Sequence, residues 1–196
     1  MTDLDLLWKV GNRVFSRSTS PRRIAAELYS EVVAIARTPD FYAGLDVPDT
    51  IEGRYEMIVL HVVLLLRRIR APGAEQKRLA QALVDFMAAD LDRSIRELGV
   101  GDMSVGKFMK RLGQGLYGRA AAYDNALDNS DAAALEEAIL RNIFDGYDPG
   151  DRILATFARY VQTQNDHLAS LPIQSIAAGH VDFLPFADMN RDAETA

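Results

Sequence analysis

The side chains able to do chemistry are few. They are Asp90 and Asp92, His61, and a basic group of Lys107, Lys110, Arg111 and Arg119 with Tyr117 and Tyr123 among them. Two carboxylates can share general acid and base roles when they converge on one atom. Asp90 and Asp92 do not converge, because helix positions two apart point about 200° away from each other. His61 stands inside the apolar run MIVLHVVLLL. A lone imidazole there reads more readily as a neutral core group with one hydrogen-bonded nitrogen than as a ligand. No second histidine stands at metal-ligand spacing, and His167 and His180 lie far along the chain. The turn Gly99-Val100-Gly101-Asp102 lacks the downstream lysine–serine pair and the preceding strand of a phosphate loop. No serine nucleophile motif is present, and with no cysteine there is neither a thiol nucleophile nor a thiolate metal site. These residues favour a binding protein over an enzyme, with no cofactor and no metal.

Composition agrees. The 196 residues suit one domain, and 48% hydrophobic with 26% charged residues is ordinary for a globular chain. A net charge of -6 argues against general nucleic-acid binding. The apolar spacing predicts an all-helical single domain of about seven helices. Its centre is the helix over about residues 50–70, which is apolar all round and too short to span a bilayer. Asp49 and Glu52 have the spacing of a reciprocal cap for that helix. Thr38-Pro39 ends the helix before it, and Phe41 and Tyr42 should pin the connector between them.

The residues singled out above fall on the next two helices, around the hinge at Gly99 and Gly101. The first runs over about residues 74–98. Asp90 lies at the edge of its apolar stripe and needs a cation, which Lys107, Arg111 or Arg119 of the next helix can supply. Asp92 and Arg96 are spaced for a solvated pair. The second helix buries Val105, Phe108, Met109, Leu112, Leu116, Ala120, Tyr123 and Leu127, with Asp102 or Ser104 as cap. It also carries Gly106, Gly113, Gly115 and Gly118, each costing about 1 kcal/mol against alanine. Such glycines signal either close packing of a neighbouring helix or a partner surface. At the amino terminus, residues 1–19 read as an amphipathic helix with Trp8, Phe15, Lys9, Arg13 and Arg17, suited either to the domain's own core or to an anionic membrane. Residues 20–178 form the domain proper, and residues 179–196 are expected to be loosely held.

Two blocks carry a resemblance. ARTPDFYAGLDVPDTIEGRYEMIVLHVVLLLRRI, residues 36–69, and DLDRSIRELGVGDMSVGKFMKRLGQGLYGRAAAYDNAL, residues 90–127, resemble the ubiquinol–cytochrome c chaperone family. Asp46, Gly106 and Leu116 depart from the family's usual residues. The resemblance implies a non-catalytic chaperone of the cytochrome bc1 complex that holds newly made cytochrome b. It implies a place at the cytoplasmic face of the inner membrane, or the matrix side in a mitochondrion, with a second assembly factor as a further partner. The client-binding residues it implies are Asp90, Asp92, Arg96, Asp102, Lys107, Lys110, Arg111, Tyr117, Gly118, Arg119 and Tyr123. In that scheme Asp90 and Asp102 organise the basic residues, while Lys107, Lys110 and Arg119 meet the client. The competing expectation is a small helical enzyme or lipid-binding protein with Asp90, His61 and Tyr117 around a closed pocket.

Overall fold

The computed structural model describes residues 20–70, 73–97 and 102–186, with the side chains of residues 102–114 outside that description. The helix expected over residues 1–19, the Gly99–Gly101 hinge, the Asp102 cap and residues 187–196 therefore lie outside the described residues. Eight helices follow one another with no strand among the described residues: α1 (Pro21–Ala36), α2 (Pro39–Gly44), α3 (Ile51–Ile69), α4 (Ala74–Glu97), α5 (Asp102–Asp128), α6 (Ala132–Asn142), α7 (Asp151–Ser170) and α8 (Ile173–Ala177). The all-helical, single-domain expectation is met. No helix among the described residues is long and apolar enough to cross a membrane.

Helix α3 occupies the centre because it has no polar face to turn outward. Every residue from Tyr55 to Leu65 is buried, and α3 touches α1, α4, α5, α7 and α8. Leu60, Leu64 and Leu65 are almost wholly enclosed, and each contributes about 1.5–3 kcal/mol of burial. Around this axis α1 lies along α4, and α5, α6 and α7 pack in sequence.

The start of α3 corrects the expected cap. Thr50, not Asp49, is the N-cap, its hydroxyl oxygen accepting from the Gly53 amide at 3.0 Å. The Thr50 amide donates to Pro48 O at 2.8 Å and so turns the chain at the helix entrance. Asp49 is thereby left outside, paired with Arg54 at 2.6 Å. The turn also brings the Pro48 carbonyl against Gly53, where a β-carbon would sit 2.0 Å from the oxygen. Gly53→Ala is therefore expected to cost about 1–3 kcal/mol through forced backbone movement. An unchanged urea midpoint would mean that the entrance turn is not held as described.

Helix α6 starts from Asp131, whose carboxylate accepts from Ala134 N at 3.0 Å. Helix α7 starts after Gly150, at φ 95°. Phe41 is enclosed, and Tyr42 donates to Ala36 O at 2.7 Å, so the connector is pinned as its rings suggested.

The segment after α8 is not loose through residue 186. Val181, Phe183 and Phe186 are buried. The Gln164 amide grips both backbone groups of Leu184, donating to its carbonyl at 2.5 Å and accepting from its N–H at 3.2 Å. His167 Nε2 donates to Asp182 O at 2.9 Å. The anchors come from α7, far enough along the chain that local patterning could not reveal them.

Candidate functional site

His61 is a core group, but both ring nitrogens are engaged instead of one. Nδ1 lies 2.7 Å from Met57 O and therefore carries the proton, since a carbonyl only accepts. Nε2 then accepts from the Tyr160 hydroxyl at 2.6 Å, and Gln164 donates to that oxygen at 3.2 Å. Phe41 and Phe183 lie with ring centroids 5.8 and 5.5 Å from the imidazole. This dry surrounding pushes the His61 pKa down to about 4 and keeps the ring neutral.

Asp90 is satisfied from a different direction than expected. Tyr29 of α1 donates its hydroxyl to Oδ2 at 3.1 Å, and Arg93, one turn along α4, pairs with Oδ1. The Tyr29 phenol is raised well above its ordinary value, chiefly by burial and then by the Asp90 charge. Arg119 does not reach Asp90. Asp92 and Arg96 form the expected pair, with Nε to Oδ2 at 2.7 Å, worth a few tenths of a kcal/mol. Asp90, His61 and Tyr117 do not gather around one pocket. His61 is enclosed by rings, Asp90 bridges α1 and α4, and Tyr117 is 77% exposed.

Arg119 turns inward to Glu56, a residue that sequence reasoning passed over. Its Nε donates to Oε2 at 2.6 Å and its Nη2 pairs with Oε1. The carboxylate side chain is 8% exposed and the guanidinium side chain 23%. Burial raises the Glu56 pKa while Arg119 opposes the rise. The Tyr55 ring lies under the guanidinium, 6.0 Å from its carbon. Gly115, one turn earlier on α5, leaves the room this fold-back needs: a β-carbon there would sit 2.3 Å from Arg119 Nη1. The glycine thus serves the chain's own ion pair. A signal for Glu56 did exist, since a lone carboxylate at the start of an apolar run needs a partner as much as a lone histidine does.

The pair floors a hollow of about 640 Å³ between the start of α3, the middle of α5 and the end of α6. Pro48, Ile51, Ile143 and Phe144 give it apolar walls, and Arg141 and Asp145 charge its edge. Ile51 stands 56% exposed at this position. The hollow takes in Arg119 but not Tyr117, since positions two apart on a helix diverge by about 200°. Gly118 faces open space beside Tyr117. Tyr123 is buried, so it supports α5 from beneath and presents nothing outward. Tyr123 is therefore corrected from a surface contact to an internal support, while Arg119 reaches the hollow only as the partner of Glu56. The side chains of Asp102, Lys107, Lys110 and Arg111 lie outside the described residues. Among the described residues no three histidine or carboxylate side chains gather to hold a metal.

Comparison with known proteins places this geometry in context. Residues 43–183 match the family model described as ubiquinol–cytochrome c chaperone, a span that includes the hollow and all of α5. The chain is 26% identical over 167 residues to ubiquinol–cytochrome c reductase complex assembly factor 1 of Mus musculus and of Homo sapiens, covering 85% of this chain and 56% of each relative. It is 30% identical over 149 residues to the mitochondrial protein CBP3 of Saccharomyces cerevisiae, covering 74% of this chain and 44% of that one. The chain thus spans about half the length of these relatives. The crystal structure of the Cbp3 homolog from Brucella abortus superposes with a TM-score of 0.79 at 38% identity, covering 89% of this chain and 97% of the other.

Proposed function

The chain belongs to the ubiquinol–cytochrome c chaperone family, and from that premise we infer that it is a non-catalytic assembly chaperone of the cytochrome bc1 complex. Its client in this reading is newly made cytochrome b. The observation that carries the proposal is the family match across residues 43–183, which takes in α3 and α5 together with the hollow between them. That hollow has apolar walls and a charged edge, as a holder of a polypeptide with apolar and polar stretches needs. On α5 the exposed ring of Tyr117 beside the bare surface of Gly118 offers an anchor and a close approach.

Lys107, Lys110 and Arg111 complete the client face in this proposal, with Asp102 ordering them. Asp90, Asp92 and Arg96 act from α4 as supports. A second assembly factor belongs to the same scheme, as does peripheral attachment to an anionic membrane. Flotation with anionic liposomes at low ionic strength, reversed by salt, is the expected sign of that attachment, and no flotation would remove it.

The client assignment is tested by placing a photocrosslinker at positions 107, 110 or 117 in cells making cytochrome b. Cytochrome b should be recovered from each of the three and not from exposed Glu137 on α6. Equal recovery from position 137 would undo the assignment of the face. Tyr117→Ala should leave folding stability within about 0.5 kcal/mol of the parent while lowering cytochrome b recovery. A loss of stability instead would make Tyr117 a structural residue.

A further inference from the structure

At the other end of α3 three arginines, Arg67, Arg68 and Arg70, line a second hollow of about 470 Å³ with Leu64, Asn165 and Ala169. Asp128 stands at its edge. The three guanidiniums are not equivalent. Arg67 engages all three of its nitrogens: Nε donates to Asn165 Oδ1 at 2.9 Å, Nη1 to Asp124 Oδ1 at 3.2 Å, and Nη2 to Asp128 Oδ1. Arg70 donates Nη1 to Asp124 Oδ2 at 2.8 Å, and its side chain is otherwise 61% exposed. Arg68 donates one Nη2 bond, to Leu171 O at 2.6 Å, and its Nε is buried without an acceptor.

A guanidinium N–H withdrawn from water and left unpaired is unfavourable, and the chain's own acceptors nearby are already engaged. Asp124 bridges Arg67 and Arg70, and Asp128 is held by Arg67. Three cations therefore face two carboxylates, which leaves the hollow with one positive charge in excess.

We propose that this hollow binds a single phosphate group on Arg68 and Arg70. Both of these guanidiniums line the hollow, Arg68 from the last turn of α3 and Arg70 from the non-helical C-cap that follows it. A tetrahedral oxyanion can present separate oxygens to both, whereas a planar carboxylate pairs best with one guanidinium edge. The volume admits the phosphate together with the group it is esterified to. The same chemistry comes from two sources, an anionic phospholipid headgroup or a soluble phosphate, and the test has an arm for each.

Inorganic phosphate is titrated into the whole chain at fixed ionic strength, balanced with chloride, while the Arg68 Nε–H resonance is followed. A saturable shift is expected. Arg68→Lys keeps the charge but loses the planar guanidinium fork, and should weaken phosphate binding about tenfold, equivalent to about 1.4 kcal/mol. Arg70→Gln, at an exposed side chain, should weaken it comparably and keeps the test valid if the Arg68 variant does not fold. A drift that never saturates, or an affinity unchanged in the folded variants, overturns the proposal. In the second arm, phosphatidylcholine vesicles are compared with vesicles also containing phosphatidylglycerol. Sedimentation with the anionic vesicles that disappears in Arg68→Lys assigns the site to a lipid headgroup. Saturable phosphate binding with the same vesicle behaviour in parent and variant assigns it to a soluble phosphate.

Discussion

Arg119→Met is expected to lower folding stability by about 3 kcal/mol, because it leaves the Glu56 carboxylate buried without its cation. The paired groups are held by two charge-assisted bonds, and Glu56 has almost no access to water. Removing both charges should behave differently. Glu56→Leu combined with Arg119→Met should recover most of the loss, since a buried ion pair gains little over apolar groups of similar volume. The contrast separates loss of a partner from loss of packing. Urea unfolding at pH 7 measures it, and a single variant losing under about 1 kcal/mol would mean the pair is effectively solvated.

The pH dependence has a fixed sign. Burial raises the Glu56 pKa above its ordinary value of 4.5, so the folded chain holds this proton to higher pH than the unfolded chain does. Stability from this group is present below 4.5 and declines as pH rises through the folded value. Without Arg119 the rise in pKa is larger. The gap between Arg119→Met and the parent should therefore widen as pH increases above 4.5.

His61 gives the second large effect, with the opposite sign. Its folded pKa, about 4, lies below its ordinary 6.5, so between these values the unfolded chain binds the proton more readily. Stability is complete above pH 6.5 and is lost as pH falls through the window, by about 3 kcal/mol in all. Protonation would place a charge among the rings of Phe41, Tyr160 and Phe183 and turn Nε2 from acceptor to donor against the Tyr160 hydroxyl. His61→Gln should be less stable than the parent at pH 7 but should lose this contribution to the acid slope. Urea midpoints at steps from pH 7 to 4.5 give the comparison. An equal slope in parent and variant would assign the acid sensitivity to other groups.

The same network ties the C-terminal strap to the core. Tyr160 links His61 to Gln164, and Gln164 holds Leu184. Acid weakening of His61 therefore bears on residues 181–186, whose burial rests on Val181, Phe183 and Phe186.

Sequence alone determined the all-helical class, the central place of α3, the pinned connector at Phe41 and Tyr42, the neutral core character of His61 and the Asp92–Arg96 pair. Each follows from spacing within a few residues or from an apolar run with no polar face. It also carried enough of the family pattern, in residues 36–69 and 90–127, to name a chaperone lineage.

Only the tertiary structure decided which partner each charge takes. Asp90 chose Tyr29 and Arg93, and Arg119 chose Glu56, 63 positions away along the chain. The same packing buried Phe183 and Phe186, left Tyr117 outside, and gathered three arginines around a hollow at the end of α3. Helical periodicity says that a face is apolar or charged. Which helix lies against that face is set by how all the side chains fill the core at once, and a local pattern does not encode that.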